Sequence, residues 1–361
     1  MLEQPLQKVA SELRELGESR GKAVTFLKQN SSKLALSSFD FLEHTLTVPV
    51  LASGGANAKI AAVDGGILGE ELHSLDLFVA RSCGVMFEYK EGAIVSHAYY
   101  PEKFPPLEYH ALHSLETHEF NWHKNLIRLN SELQCAIDSF NQFSPDALFL
   151  DGSIVPQVGD KPSKDSAAYL EYEKALEKMA ELYSLVDSSG AALLGIIKDS
   201  RGKHFIELLR KSVPELEEFS RALERTNDTT FLHNLLSPGQ RTPAFKYSSE
   251  QSEKLVLRDL GEWSKKIASF YIKPVEYDRP LRVDFLLPKT ADAAKISEYA
   301  SLVQSLSTEN KFYAYPAILI EADLRAALEG KEMEIAYRAL SDELGMQPEL
   351  FKLRRNSRPF R

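Results

Sequence analysis

The chain has 361 residues, of which 43 are Lys or Arg and 52 are Asp or Glu, with 43% hydrophobic and 26% charged residues. That globular balance excludes disorder and collagen-like composition, and the length allows roughly two or three ordinary domains or one large one. The net charge of −9 argues against tight unaided binding to a polyanion, because neutralising phosphates takes a basic surface.

Two cysteines, Cys83 and Cys135, cannot build a disulfide framework, so a reducing, cytoplasmic setting is expected. No apolar leader follows Met1, and no stretch approaches the ~18 apolar residues of a membrane span. Val9, Leu13, Leu16, Val24 and Leu27 recur at helical spacing, weakened in the middle by Gly17 and Gly21. A second short helix is expected through Phe39, Phe41 and Leu42 before the break at Ala52-Ser-Gly-Gly-Ala. Residues 1–52 therefore read as a helical arm that serves packing or dimerisation.

The next segment is β-rich. Lys59 to Asp64 reads as a short strand closed by Gly65-Gly66, and 75–89 and 93–100 read as a hairpin around Lys90-Glu91-Gly92. Residues 107–143 show helical spacing, with Leu126, Leu129, Leu133, Ala136, Ile137 and Phe140 on one stripe. A strand from Ala147, a helix at about 167–187, a strand at 191–197 and a helix at 204–211 follow. The order β-β-β-α-β-α-β-α describes an antiparallel meander extended by parallel crossovers, the order of ribonuclease-H-like domains. Beyond it come a helical insertion at 212–236, strands near 267–273 and 280–287, a helix at about 289–307 and a strand-to-helix passage over 312–328. The expected fold is thus α/β: a mixed five-stranded ribonuclease-H-like sheet (core about 58–211) within a body at 53–330 that carries an α+β extension. A C-terminal helix and basic tail are expected at 331–361.

Three apolar runs end alike: Ala-Ala-Val-Asp64-Gly, Leu-Phe-Leu-Asp151-Gly and Gly-Ile-Ile-Lys198-Asp199-Ser. One such end is an ordinary turn or helix cap, whereas three on one sheet gather carboxylates where ligands bind in α/β folds. Glu132 lies just outside the stripe of its helix at ~100° per residue, so its carboxylate can lean toward the sheet. Carboxylates without His or Cys suit hard cations such as Mg²⁺ or Mn²⁺, and two such ions would clamp the attacking and leaving oxygens of a phosphodiester. Lys198 could neutralise phosphate charge or be a solvated lysine at a strand end. Arg241, with Lys246 nearby, could grip phosphate or cap a helix.

These residues, in this order, resemble the NurA family, nucleases of ribonuclease-H-like fold that work with HerA-type hexameric ATPases on DNA ends. The resemblance spans roughly residues 55–330. Its motifs are Ala-Val-Asp64-Gly-Gly, Glu132 nineteen residues before Asp151, Leu-Asp151-Gly-Ser, Lys198-Asp199-Ser-Arg201, Ser237-Pro-Gly-Gln-Arg241-Thr-Pro, Arg282-Val-Asp-Phe, and Tyr315-Pro followed eight residues on by Asp323. It implies a manganese-dependent endo- and 5′ to 3′ exonuclease on single- and double-stranded DNA, a homodimer, a HerA-type partner, and a place in double-strand break repair. On that footing Asp64, Glu132, Asp151 and Asp323 are the expected metal ligands, with Lys198 and Tyr315 completing the catalytic set. Lys198, Arg201, Arg241 and Arg282 are the expected DNA contacts. Where the family pattern leads to a histidine this chain has Asp323, which can ligate a hard metal but does not titrate near neutrality as histidine does. Tyr315 could orient water or phosphate, or simply pack beside Pro316.

Other constellations point elsewhere or fail. His110, His113, His118 and His123 are spaced 3, 5 and 5, which puts only the first pair on one helical face and disfavours zinc. Gly-Gly-Ile-Leu-Gly at 65–69 lacks the Lys-Ser/Thr ending of a nucleotide-binding loop, and Gly-Ser153-Ile lacks a nucleophile-elbow frame. Two rivals stand beside the nuclease reading: a non-catalytic DNA-channel adaptor of a hexameric ATPase, and an enzyme acting on RNA or hybrids. Residues 352–361 carry five basic and no acidic side chains, leaving 38 basic against 52 acidic, or −14, on the remainder. Part of that acidity is what a metal site requires, and bound ions would reverse the local field where phosphate approaches.

Overall fold

The computed structural model describes residues 3–31, 33–51, 57–248, 255–289, 292–345 and 353. In chain order the helices and strands begin with α1 (Glu3–Asn30), β1 (Val48–Pro49), β2 (Ala58–Glu71), β3 (Leu75–Lys90), β4 (Ala93–Tyr100) and β5 (Glu108–His113). Next come α2 (Thr117–Phe143), β6 (Ala147–Asp151), α3 (Tyr169–Ser189), β7 (Ala192–Ile197), α4 (His204–Ser212), α5 (Ser220–Glu224) and α6 (Asp228–Leu235). The remainder comprises β8 (Gln240–Arg241), β9 (Phe245–Lys246), α7 (Leu255–Arg258), β10 (Ile267–Lys273), β11 (Leu281–Leu286), α8 (Ala293–Leu306), α9 (Ala317–Ala326) and α10 (Gly330–Leu344). Among the described residues no helix is long and apolar enough to cross a membrane.

The chain divides into two compact units. The first gathers the described residues of Met1–Gly54, Leu194–Glu253 and Lys265–Ala317. Its strands β10 and β11 pair antiparallel, and β11 pairs antiparallel with the part of β7 from Leu194 onward. Short β8 and β9 line the other side of β10. The C-terminal half of α1 buries Ala23, Val24 and Leu27 against Phe205, Leu209, Phe231 and Leu232 of α4 and α6, while Leu6, Val9 and Leu13 nearer its start are exposed. The short helix expected around Phe41 does not form: Phe41 makes an isolated bridge to Phe245 and buries its ring in the same core. A three-residue apolar cluster satisfies a helical spacing by chance, and tertiary pairing decides the outcome.

The second unit gathers the described residues of Gly55–Leu193, Lys254–Ser264 and Ile318–Arg361. Its sheet is mixed. β2 and β3 pair antiparallel through fourteen residues, from Ala58↔Tyr89 to Glu71↔Asp76. β4 and β5 pair antiparallel with successive halves of β3, and β6 pairs parallel with β2. The parallel step needs a crossover, and α2 supplies it. Leu126, Leu133, Ala136, Ile137 and Phe140, all buried, form its inward face, and Ser144 in the left-handed region (φ 46°) ends the helix with its N–H on the Phe140 carbonyl. α3 returns along α2 and stops at Gly190, φ 78°.

Three expectations are corrected here. Asp64 does not close a short strand, because β2 runs on through Gly65 and Gly66 to Glu71. Residues 108–113 are strand rather than the start of the helix, placing His110 and His113 on β5 and His118 and His123 on α2. The strand expected directly before α9 does not form; residues 313–316 have no regular secondary structure. The Ala52-Ser-Gly-Gly-Ala break lies outside the described residues, as does the basic tail apart from Leu353.

Gly66 explains why two glycines sit inside a strand. A Cβ built on Gly66 would stand 2.3 Å from the Ala326 carbonyl oxygen, so the end of α9 can lie against β2 only while residue 66 has no side chain. Gly66→Ala should therefore destabilise the protein by about 1–3 kcal/mol, the usual cost of overpacking, measured by urea unfolding. A change within about 0.5 kcal/mol, the range of neutral surface substitutions, would show that α9 moves away freely.

Candidate metal centre

Three carboxylates of the second unit converge. Asp64 projects from the middle of β2, Asp151 ends β6, and Asp323 lies on α9. One oxygen from each lies within 4.8 Å of the others. Parallel pairing of Val63 with Leu150 brings the first two side by side. Gly152, at φ 125°, turns the chain directly after Asp151 in a conformation that residues with a Cβ avoid. The close seat of α9 over Gly66 delivers the third, since residues 64 and 66 share a face of the strand.

Burial differs among them. Asp64 is buried, Asp151 is half-buried and Asp323 is exposed. Burial, followed by the charge of Asp151, raises the Asp64 carboxyl from 3.8 to about 7. The Gly65 N–H, 2.7 Å from Asp64 Oδ1, opposes that rise, and the charge and side-chain hydrogen bond of Asp323 add to it. Like charges confined this closely repel one another, and a cation would relieve them.

Glu132 approaches from the opposite face of β2. Its Cβ would lie 3.2 Å from a Cβ on Gly65, so the first glycine of the pair makes room for α2 as the second does for α9. The Glu132 carboxylate accepts a hydrogen bond from Arg128 Nη1 at 2.9 Å. Burial raises its carboxyl to about 8; Arg128 lowers it, while Asp64 and Asp151 raise it further, so Glu132 is within charge reach of both without being one of the clustered three.

The remaining sequence candidates belong to the first unit. Lys198 holds its ammonium 4.1 Å from the centroid of the Tyr315 ring, and Tyr315 is buried with its hydroxyl 3.4 Å from the Ile196 carbonyl. Arg201 is exposed. Arg241 is wholly buried; its guanidinium pairs with both oxygens of Glu43 and donates to Ser297 Oγ at 3.1 Å, which leaves it no open face for phosphate. Arg282 is likewise buried, with Nε donating to Asp284 Oδ1 at 2.7 Å. Both arginines hold the unit together. Sequence reading could not separate these roles, because Glu43 stands 198 residues from Arg241.

The donor set suits a hard divalent cation. Three carboxylates without thiolate or imidazole match Mg²⁺ or Mn²⁺ and disfavour zinc. Among the described residues this is the one such cluster found.

Comparison with known proteins follows the same lines. A model of the NurA domain matches residues 58–328. The crystal structure of the NurA nuclease from Sulfolobus solfataricus superposes with a TM-score of 0.55 at 16% identity, covering 94% of this chain and 97% of that one. A NurA structure bound to dAMP and manganese gives 0.57 at 11% identity, covering 94% and 97%. At such identities the likeness establishes the fold, and the mixed α/β architecture expected from the sequence agrees with it. No curated protein matches the chain.

The raised carboxyl of Asp64 has a measurable sign. A group whose folded value lies near 7 and unfolded value near 3.8 favours the folded state most below 3.8, and that contribution is lost as pH rises through about 7. In EDTA, the melting temperature of the wild type should therefore fall from pH 5 to pH 8 by more than that of Asp64→Asn. Parallel melting curves for the two proteins would contradict the assignment.

Proposed function

The chain belongs to the NurA family, and from that premise we propose that it is a divalent-metal-dependent nuclease whose metal centre is built by Asp64, Asp151 and Asp323. The observation that carries the proposal is the convergence of three oxygens within 4.8 Å, one of them from a buried carboxylate raised to about 7. The NurA structure bound to dAMP and manganese supports the choice of metal and of a nucleotide substrate. When bound, divalent ions polarise phosphoryl oxygens and lower the pKa of water, and a pair of ions can clamp both the attacking and the leaving oxygen.

The chain's own residues supply placement. Asp64 and Asp151, fixed by neighbouring strands, form a rigid pair, and Asp323 closes the set from a helix. We assign Mn²⁺ or Mg²⁺ as the cofactor, with two ions as the finer proposal. Glu132, held by Arg128, is assigned the support of that set through charge and hydrogen bonding rather than a place among the three clustered oxygens. In the first unit, Lys198, set on the Tyr315 ring, and exposed Arg201 are proposed from the family resemblance as contacts for DNA phosphate.

DNA as substrate, a homodimer, a HerA-type ATPase partner and a role in DNA end processing are proposed from the family resemblance. Size-exclusion chromatography with light scattering would test the dimer. The adaptor alternative is less economical, because a scaffold has no use for three crowded carboxylates whose repulsion works against folding.

Cleavage of linear DNA in Mn²⁺ should be lost on adding EDTA. Asp64→Ala and Asp323→Ala should each slow it by about 100-fold or more, since even outer-shell partners of a metal ligand cost 10–100-fold. Equal cutting by wild type and Asp64→Ala would sink the site. Absence of cleavage under any metal, with DNA binding indifferent to EDTA, would favour the adaptor.

A further inference from the structure

On the face of β2–β4 that carries Asp64, a second group of side chains lies beside the acidic cluster. Asp64 pairs with Cys83, and Val85, on the same face of β3, pairs with Tyr99. Tyr99 thus stands roughly 12 Å from Asp64, two interstrand spacings of about 4.8 Å across the sheet and two residues, about 6.8 Å, along it. Glu321 of α9 organises what surrounds it. Its Oε1 accepts from Tyr99 Oη at 2.8 Å and from Arg325 Nε and Nη2 at 2.8 and 2.6 Å. The Arg325 guanidinium carbon is held 5.7 Å from the Tyr99 ring centroid and 5.4 Å from that of Phe104. Lys103 Nζ lies 5.9 Å from the Tyr99 ring.

Phe104 is 74% exposed. It is presented by a stiff segment, since Pro105 and Pro106 follow it and Pro105 is buried. An apolar ring displayed to water, with the guanidinium that Glu321 holds lying over it, offers a surface on which a planar group can stack. The pairing of an aromatic face with Lys and Arg suits one ligand chemistry, a nucleobase joined to a phosphate, as in surfaces that carry single strands. Cys83 pairs with Asp64 across the ladder, and Asp323 shares α9 with Glu321 and Arg325, so the two groups are built on the same elements.

We propose that Phe104, Tyr99 and Arg325 form a stacking platform for a base of single-stranded DNA, a nucleotide or two from the phosphate held at Asp64, Asp151 and Asp323. The proposal rests on the nuclease reading above. It implies that an end is engaged as a frayed or single strand, with Lys103 taking a neighbouring phosphate.

Binding of a fluorescein-labelled oligothymidylate to the full chain in EDTA, followed by anisotropy, tests it. Phe104→Ala should weaken binding about tenfold, within the range for losing one base–aromatic stack. Phe104→Trp should restore the affinity, and a blunt duplex should bind both proteins equally. Oligonucleotides scanned with a single abasic site should reveal one position that costs the wild type about tenfold and costs Phe104→Ala nothing. If Phe104→Ala binds the oligonucleotide as tightly as the wild type, or if both proteins respond equally to every abasic position, the platform is overturned. Cleavage by the wild type in Mn²⁺, measured in parallel, separates the two readings: abasic-sensitive binding without cleavage would leave the platform and remove the nuclease, whereas cleavage with no Phe104 dependence would do the reverse.

Discussion

Repulsion among three carboxylates is the constraint around which the second unit is arranged. Left to solvent, Asp64, Asp151 and Asp323 would separate, because confined like charges disfavour one another and burial disfavours each. They are held together by elements that cannot yield separately. A parallel ladder fixes Asp64 beside Asp151, and α9 reaches β2 across a glycine that leaves no clearance for a side chain. The unit therefore stores an electrostatic cost at one place on its sheet, and a divalent cation is the ligand that offsets it.

Two consecutive glycines carry much of this arrangement. Strand alternation turns Gly65 toward α2 and Gly66 toward α9, so each helix meets the strand closely from its own side. The first approach seats Glu132 beside the strand, and the second seats Asp323 within reach of Asp64. The aromatic group around Glu321 depends on the same helix, since Glu321, Asp323 and Arg325 all lie on α9.

Much of this was legible in the sequence, and the exceptions have physical causes. Asp151-Gly reads correctly as a strand end because its glycine takes a positive φ that turns the chain. Asp64-Gly-Gly looks the same on paper, yet its glycines serve close packing inside a strand, and no local pattern distinguishes the two uses. The stripe on α2 located Glu132 at the rim of the core, but helical periodicity alone could not tell which face of β2 it would meet. Asp323 entered through the order of family motifs, since an exposed aspartate on a short helix has no signal of its own. Arg241 shows the opposite failure: a Pro-Gly-Gln-Arg loop suggests an open basic tip, whereas Glu43 buries the guanidinium completely. Tyr99 and Phe104 escaped notice because their neighbours come from α9, more than two hundred residues away in sequence.

Anomalous diffraction from crystals soaked in manganese tests the central claim most directly. A manganese peak is expected within ligand distance, about 2.0–2.6 Å for hard cations and carboxylate oxygens, of Asp64, Asp151 and Asp323, and it should vanish in Asp64→Asn crystals. Manganese-dependent cleavage accompanied by a peak elsewhere, with none among these three residues, would contradict it.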